Sequence, residues 1–371
     1  MIAFYKTLLS LFLLLSTALL QAQVIEGKIV DLKTQESLPG ATVYLDGTSI
    51  ATITDAEGNF RLNIQNSSAT LVVSFVGYLT YKVDHPSQYA NRKLKIQLTE
   101  ASIDLDEVVI GKGPFSRKQM LQVFRAEFLG ESKAGRSCTI ENEDDIVLYY
   151  NVTNNTLNAS SRNPLRIQNK YLNYYVNFDL EDFKIEYNFK SLQKYNQVRS
   201  YFSGTTFYKE LKESKNAAQR RKEIYYGSAQ HFAYTLAHEA WDKEGITLFV
   251  NGFKVQPNAY FQVKDTLGIK KVTLIKEPQK SVPSVNVQQL KGSVSALADQ
   301  SKTKWVKTIF NVLDKNNRQS AIEFIDKVIF VDASGNYAPV YGIIYGGYMG
   351  SLKAGDMLPI DYFLTTKEMQ K

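Results

Sequence analysis

The residues with the clearest potential for chemistry form one short run, His238-Glu239-Ala240-Trp241-Asp242. The run begins like the motif H-E-x-x-H, in which two histidines one helical turn apart bind zinc and the glutamate acts as a general base. Here Asp242 stands where the second histidine should be. His231 lies seven residues before His238, which on a helix is ~10.5 Å along the axis and too far for sharing one ion. His238 and Asp242 could hold a metal only with a third ligand from elsewhere, and the alternative is a structural role at a helix end.

The single cysteine, Cys138, is the other candidate for chemistry. A catalytic thiol needs a base beside it, and no local signature supplies one, so we predict a buried, inert thiol at the start of a strand. The run Asp55-Ala56-Glu57-Gly58-Asn59 resembles half of a calcium-binding loop but lacks the later bidentate acid, which favours a hairpin turn. We therefore predict no catalytic residue, no bound metal and no cofactor.

The most basic stretch of the chain lies between residues 208 and 226. Its cations are Lys209, Lys212, Lys215, Arg220, Arg221 and Lys222, flanked by Tyr208, Tyr225 and Tyr226. Basic residues among aromatic ones can bind nucleic acid or anionic lipid. Glutamates at 210, 213 and 223 interrupt the run, which favours a solvated helix face, with contact to lipid or polysaccharide phosphate as the alternative.

Residues 1–22 have the pattern of a secretory signal peptide. Lys6 supplies a positive charge, Leu8 to Leu20 an apolar core, and Ala22 a small residue at a cleavage site. The apolar run is too short to span ~30 Å of hydrocarbon, and no cysteine lies near it for acylation. We predict an exported protein that is not a lipoprotein, has no transmembrane segment in its mature chain and meets no nucleic acid.

The elements that must position these residues begin with a β-domain over residues 23–99. Asn59 to Ile64 and Lys93 to Leu98 alternate polar and apolar residues with the period of two that is typical of half-buried strands. Turn signals such as Pro39-Gly40 separate the runs. The pattern predicts an antiparallel domain of two packed sheets around one core.

Four segments of this domain occur in a recognisable order. They are Gly27-Lys28-Ile29-Val30-Asp31, Leu38-Pro39-Gly40-Ala41-Thr42-Val43, Thr54-Asp55-Ala56-Glu57-Gly58-Asn59-Phe60 and Phe75-Val76-Gly77-Tyr78. This order resembles the carboxypeptidase-like regulatory domain, which implies a transthyretin-like sandwich of about seven strands that serves as a structural or docking unit. The following Leu105 to Ile110 resembles the segment that joins such a domain to the plug of energised outer-membrane receptors. A carboxypeptidase catalytic site is not predicted, because His85 is followed by Pro86-Ser87-Gln88 with no carboxylate at the required spacing.

A linker rich in Asp, Gly and Pro, residues 100–114, precedes an α+β, β-rich domain over residues 115–371. Ser116 to Gln119 fits a capping box that opens an amphipathic helix to about Leu129. Strands are predicted from 140 to 207 and again beyond 246, with helix from 210 to 236 interrupted near Gly227-Ser228. The stretch from Lys276 to Ser301 has low hydrophobicity and is predicted to be a long exposed loop.

Short motifs run through this second region in a fixed order. They are Phe128-Leu129-Gly130, Cys138-Thr139-Ile140, Pro164-Leu165 with Asn169, Tyr201-Phe202-Ser203-Gly204, Arg221 to Ser228 with His231-Phe232, and Asp356 to Tyr362. The series resembles an uncharacterised region that follows the sandwich in many exported proteins of Gram-negative envelopes. That resemblance implies a periplasmic or outer-membrane-associated protein and brings no known activity.

The sequence favours a non-enzymatic envelope protein in which the sandwich is a docking or structural module and the second domain binds an unknown ligand. The expected partner is an envelope protein or a glycan or lipid surface. Two alternatives stay open: an accessory component of receptor-mediated uptake at the outer membrane, and a hydrolase with an unrecognised site. With three histidines and one cysteine in the chain, a hydrolase would depend on carboxylates and on Ser or Thr.

Overall fold

A computed structural model of the chain describes residues 23–64, 69–90, 92–101, 113–211, 214–266, 268–290 and 293–362. The predicted signal peptide and the Leu105 to Ile110 segment lie outside the described residues. The chain divides into two compact units. The first contains the described residues up to 124 together with 139–169 and 173–212, and the second contains 125–138, 170–172 and the described residues from 213 onward. Independent folding of residues 23–99 stays a prediction.

The first unit begins with the predicted sandwich. Its strands are β1 (Val24–Asp31), β2 (Thr42–Leu45), β3 (Ala51–Ile53), β4 (Asn59–Asn63), β5 (Leu71–Ser74), β6 (Tyr81–Val83) and β7 (Lys93–Leu98). They form a sheet of order β4-β1-β7 and a sheet of order β3-β2-β5-β6. The buried core between them is drawn from Ile25 to Leu98, as the period-two pattern predicts.

The expectation of a wholly antiparallel sandwich is wrong. β1 pairs antiparallel with β4 but parallel with β7, where Ile29 lies opposite Ile96. The two strands are the first and last of the domain, so no hairpin joins them and the connection that separates them allows a parallel pair.

The rest of the first unit is a six-stranded sheet. Helix α1 (Arg117–Phe128) precedes the strands β8 (Cys138–Ile140), β9 (Ile146–Asn151), β10 (Thr156–Ser161), β11 (Leu165–Asn169), β12 (Tyr174–Tyr187) and β13 (Gln197–Glu210). The order is β8-β11-β12-β10-β9, and β13 pairs with the long β12. The predicted capping box opens α1, since Ser116 N–H donates to Gln119 Oε1 at 2.9 Å and Gln119 N–H donates to Ser116 Oγ at 3.3 Å. Phe124 of α1 packs on Phe183 of β12 with ring centroids 4.7 Å apart.

Hydrogen bonds join the sandwich to this sheet within the first unit. The turn between β2 and β3 lies beside β13, where Thr48 forms a parallel bridge with Phe207 and Gly47 N–H donates to the Thr206 carbonyl at 2.7 Å. The Asp46 carboxylate accepts the Thr206 N–H at 2.8 Å. Burial raises the pKa of Asp46 above its ordinary value.

The second unit contains five helices among its described residues, namely α2 (Lys133–Arg136), α3 (Lys215–Tyr225), α4 (Ala229–Ala237), α5 (Trp241–Glu244) and α6 (Gly347–Ser351). Its strands are β14 (Thr247–Val250), β15 (Phe253–Lys254), β16 (Phe261–Thr266), β17 (Ile269–Leu274), β18 (Gln279–Leu290), β19 (Ser293–Lys307), β20 (Phe310–Leu313), β21 (Gln319–Phe324), β22 (Val328–Val331), β23 (Tyr337–Ala338) and β24 (Ile343–Gly346). The sheets have the orders β15-β14-β20-β21-β24, β16-β17-β22-β23 and β18-β19. Phe232 and Leu236 of α4 are buried in one core with Phe261, Phe310 and Phe324.

Short 3-10 turns occur in both units, at Pro86–Tyr89, Glu143–Asp145, Lys194–Asn196, Pro257–Ala259, Val340–Gly342 and Ala354–Asp356.

The structure corrects two predicted elements of the second region. The stretch from Lys276 to Ser301 is largely a two-stranded hairpin of β18 and β19, because alternating valines and polar residues support strands even at low overall hydrophobicity. The helix predicted from Glu210 starts at Lys215, after β13 has run to Glu210 and Ser214 has capped the helix. The predicted interruption near Gly227-Ser228 is confirmed, because α3 ends at Tyr225 and Ser228 caps α4.

No helix in the described ranges is both long and apolar enough to cross a membrane.

Candidate functional site

The metal-like run does not lie on one helix. Helix α4 ends at Ala237, His238 is its C-terminal cap, and Glu239 adopts a left-handed φ of 52° before α5 begins at Trp241. The exposed His238 stacks on the Tyr234 ring at 4.2 Å, and its Nδ1 lies 3.0 Å from the Tyr234 carbonyl oxygen. The break separates His238 from Asp242, so the one-turn spacing that a zinc helix needs is lost. The helical spacing assumed between His231 and His238 is also wrong, because the helix ends at Ala237 and His238 lies beyond it.

His231 is instead a buried part of the scaffold. Its side chain is 1% exposed, and Nδ1 accepts the Gly227 N–H at 3.1 Å. Nε2 therefore carries the proton and donates it to Glu244 Oε2 at 3.2 Å. Burial lowers the pKa of His231, and the hydrogen bond to Glu244 opposes that shift. The pair ties α5, which carries Asp242, to α4 across the turn that contains Glu239.

A cleft of about 510 Å³ opens beside this turn. Buried apolar side chains form its floor: Leu236, Ile246, Leu248 and Phe261. Charged side chains of both signs also line it: Glu239, Asp242, Lys243 and Lys254. Pockets with an apolar floor and a few polar groups are typical of ligand sites, so this cleft is the candidate functional site. His238 does not line it.

None of the other predicted site residues lines the cleft. His85 precedes the 3-10 turn Pro86–Tyr89 in the sandwich, with a φ of 51°. The run from Asp55 to Asn59 is a turn in which Asp55 Oδ1 accepts the Asn59 N–H at 2.7 Å. It connects β3 of one sheet to β4 of the other and is therefore not a hairpin turn. Across the described part of the chain, no three His, Cys, Asp or Glu side chains lie close enough to hold a metal ion.

Cys138 stands at the start of β8, as predicted, but it is half-buried instead of fully buried. Its thiol donates to the Ala134 carbonyl at 3.3 Å. Burial, with a smaller contribution from the Asp356 carboxylate, raises the pKa of this thiol to about 12. Such a thiol stays protonated at neutral pH and is a poor nucleophile.

The predicted solvated basic face is wrong for at least one residue. Arg221 is buried, and its Nε donates to the Leu172 carbonyl at 2.8 Å. Arg220 stacks over the Tyr171 ring at 4.5 Å. Ala217, Arg221 and Tyr225 recur every four residues along α3 and form its buried stripe. This four-residue spacing in the sequence could have predicted that Arg221 lies on the buried side of the helix.

The sequence analysis missed an ion pair between the buried Asp314 and the half-buried Arg318, which are four residues apart. Asp314 and Arg318 lie 2.5 Å apart, and Arg318 also donates to the Tyr226 carbonyl and, at 2.8 Å, to the Tyr348 hydroxyl. Gly227 has a φ of 79°, and a Cβ there would lie 2.5 Å from Asp314 Oδ2. The pair therefore depends on glycine at the α3–α4 junction, one residue from the cap of α4.

Comparisons with known proteins bear on the sandwich. Residues 25–110 match the family model of the CarboxypepD_reg-like domain, which confirms the resemblance seen in the sequence. The TonB-dependent receptor P3 of Formosa agariphila is 27% identical over 117 residues, which are 31% of this chain and 12% of the receptor. The TonB-dependent receptor SusC of Bacteroides thetaiotaomicron is 34% identical over 119 residues, which are 31% of this chain and 11% of the receptor. The chain thus spans only about a ninth of the length of these curated relatives.

The solved structures that resemble this chain do so only weakly. A type II cohesin–X-dockerin complex from Acetivibrio cellulolyticus is 19% identical, with a TM-score of 0.20 over 29% of this chain and 74% of the matched chain. A likeness at that level carries no argument about fold or function.

Proposed function

We propose that this chain is a non-enzymatic, exported protein of the Gram-negative cell envelope, in which the sandwich docks the protein to an envelope partner. The observation that carries the proposal is the match of residues 25–110 to a regulatory-like domain that two TonB-dependent receptors share. A module that recurs as a small part of much larger proteins is suited to docking, because it carries its own core. The signal-peptide pattern of residues 1–22 supports export.

The cleft of the second unit supports a binding role for the rest of the chain. Its buried floor of Leu236, Leu248 and Phe261 offers an apolar surface, while Asp242 and Lys254 can orient the polar part of a ligand. The buried His231–Glu244 pair holds one wall of the cleft in place. In this proposal the second unit binds a partly apolar ligand without transforming it.

A second candidate function is an accessory role in receptor-mediated uptake at the outer membrane. Both curated relatives are TonB-dependent receptors, and the family match reaches residue 110, the end of the Leu105 to Ile110 segment. This role would make a receptor, or a protein that binds one, the docking partner.

The proposal is tested by fractionating a producing Gram-negative host that carries a C-terminally tagged full chain. We expect the protein in the periplasmic and outer-membrane fractions, with a mature N-terminus near Gln23 by mass spectrometry. A matched control replaces Leu13 and Leu15 with Arg, which interrupts the apolar core and should hold the full chain in the cytoplasm. A cytoplasmic protein that keeps Met1 would contradict the proposal.

A further inference from the structure

We infer that the open edge of the sandwich binds an extended, acidic peptide segment of the envelope partner, which adds as a strand to β3. The inference rests on the proposed docking role of the sandwich and gives that partner a chemistry. Four features of the first unit carry it: an unpaired strand edge, an exposed apolar side chain, a groove, and an excess of positive charge.

Strand β3 lies at the end of the sheet β3-β2-β5-β6. Thr54 N–H donates to the Ala41 carbonyl and the Thr54 carbonyl accepts from Gly40, so Thr54 faces β2. Backbone groups alternate along a strand, so the N–H and C=O groups of Ala51 and Ile53 point away from β2. Among the described residues no strand pairs with this outer edge. The edge offers two residues with free donors and acceptors to an incoming strand.

The edge strand exposes an apolar side chain and borders a groove, and both features favour binding of a partner segment. Ile53 is 64% exposed, although it lies in a strand of the sandwich. Thr52 and Ile53 line one side of a groove of about 680 Å³ whose other side is formed by β4, β1 and β7. Gly27 lies in this groove, and a Cβ there would meet the Leu94 carbonyl oxygen at 2.5 Å. Strand addition places alternate side chains of the added segment in such a groove.

The groove is basic. Four cations line it, Lys28, Arg61, Lys93 and Lys95, against two anions, Glu26 and Asp55. Arg61 pairs with Glu26 at 2.8 Å, which leaves three lysines against Asp55. Lys28 lies directly opposite Lys95 in the parallel register of β1 and β7, an arrangement of like charges that destabilises a sheet. An acidic partner segment would relieve that repulsion.

The charge also argues against a second copy of this chain at the same edge. Two copies that paired through β3 would bring two sets of Lys28, Lys93 and Lys95 together, and like charges across an interface are unfavourable. An acidic segment of a different protein meets no such repulsion.

The test is fluorescence anisotropy with the purified full-length chain at low salt. The probe is a fluorescein-labelled peptide of about twelve residues that alternates valine and glutamate, which supplies both an extended backbone and negative charge. Two comparison peptides replace every glutamate with lysine, or every second valine with proline. We expect the acidic probe to bind at least about tenfold more tightly than either one, and to weaken as salt is raised.

Two variants of the chain locate the binding. Ile53→Pro removes the outward N–H without removing a bond to β2 and should weaken binding at least about tenfold, whereas Ile53→Val should bind like the parent. Lys28→Glu with Lys95→Glu should also weaken binding at least about tenfold. A matched control, Lys33→Glu with Lys118→Glu, makes the same change in net charge at two exposed lysines outside the groove and should leave binding unchanged.

Each of three results with peptides or protein alone would overturn the inference: equal binding of the acidic and basic peptides, equal loss in the groove pair and the control pair, or a dimer of the chain alone in sedimentation velocity that Ile53→Pro dissolves. Binding to phosphatidylglycerol vesicles in place of the peptide would also overturn it. None of these results would affect export or envelope location, so failure here is distinguishable from failure of the proposed function.

Discussion

Removing the acceptor of the buried histidine should destabilise the second unit by a predictable amount. Glu244→Leu takes away the carboxylate that accepts the Nε2 proton of His231, while Gly227 N–H still points at Nδ1. If the proton stays on Nε2, that donor is buried without an acceptor. If it moves to Nδ1, two donors face each other. Either tautomer leaves a buried polar group unpaired, because the His231 side chain is 1% exposed.

The expected magnitude follows from that unpaired group. Leaving one buried donor without a partner costs about 1–3 kcal/mol. Glu244→Gln keeps an oxygen that can accept the same proton, so it should cost less than about 1 kcal/mol. The difference between the two variants isolates the hydrogen bond from the change in side-chain volume.

Tryptophan fluorescence gives a local assay for this difference. Trp241 and Trp305 are the two tryptophans of the chain, and both lie in the second unit. In a Trp305→Phe background the signal comes from Trp241, three residues from Glu244 in α5. Urea unfolding followed by this signal should show a lower midpoint for Glu244→Leu and a near-parental midpoint for Glu244→Gln. Equal midpoints for the two variants would refute the assigned role of the His231–Glu244 pair.

Three further predictions concern single residues. Burial holds the pKa of His231 in the folded chain below its unfolded value of about 6.5. As the pH falls below that value, the unfolded chain takes up a proton at His231 more readily than the folded chain, so the free energy of unfolding decreases. The Trp241-detected melting temperature should therefore fall less between pH 7 and pH 5 in His231→Gln than in the parent or in His238→Gln, and equal slopes would contradict this. With a thiol pKa of about 12, Cys138 should react with iodoacetamide at pH 8 far more slowly in the native chain than in urea; equal rates would count against a protected thiol. Gly227→Ala should lower the free energy of unfolding by at least ~2 kcal/mol, because alanine is strained at a left-handed φ and its Cβ would displace the Asp314–Arg318 ion pair. Gly252→Ala, with φ 83° and open space around it, should cost only the strain of ~1 kcal/mol. Matching losses at the two glycines would show that the ion pair does not matter.

Local signals in the sequence predicted local structure well. Ser116 and Gln119 formed the capping box that their spacing indicated, and Phe60 and Leu62 of β4 are buried as their alternation required. Such features depend on neighbours within a few residues. Pairing between distant strands does not, which is why the parallel pair of β1 and β7 could not be read from either strand alone.

The candidate site was predicted less well. The His238 to Asp242 run resembled a zinc helix only if the helix continued, and the left-handed Glu239 that ends it is not a residue type that commonly marks such a break. Glu239 and Asp242 do line the cleft, and Leu236 of α4 contributes to its floor, but Leu248 of β14 and Phe261 of β16 complete that floor, and no local pattern connects these strands to α4. Asp314 and Arg318 are only four residues apart, but the contacts of Arg318 with Tyr226 and Tyr348 join segments that are distant in sequence.

If the sandwich docks the full chain to an envelope partner, cross-linking should locate the contact on the sandwich. Intact producing cells are treated with a carbodiimide, which activates carboxylates so that lysine amines form amides with them, and the products are identified by mass spectrometry. Cross-links to another envelope protein should concentrate on Lys28, Lys93 and Lys95 of the sandwich and join them to carboxylates in acidic segments of that protein. Inter-protein cross-links confined to lysines of the second unit would contradict it.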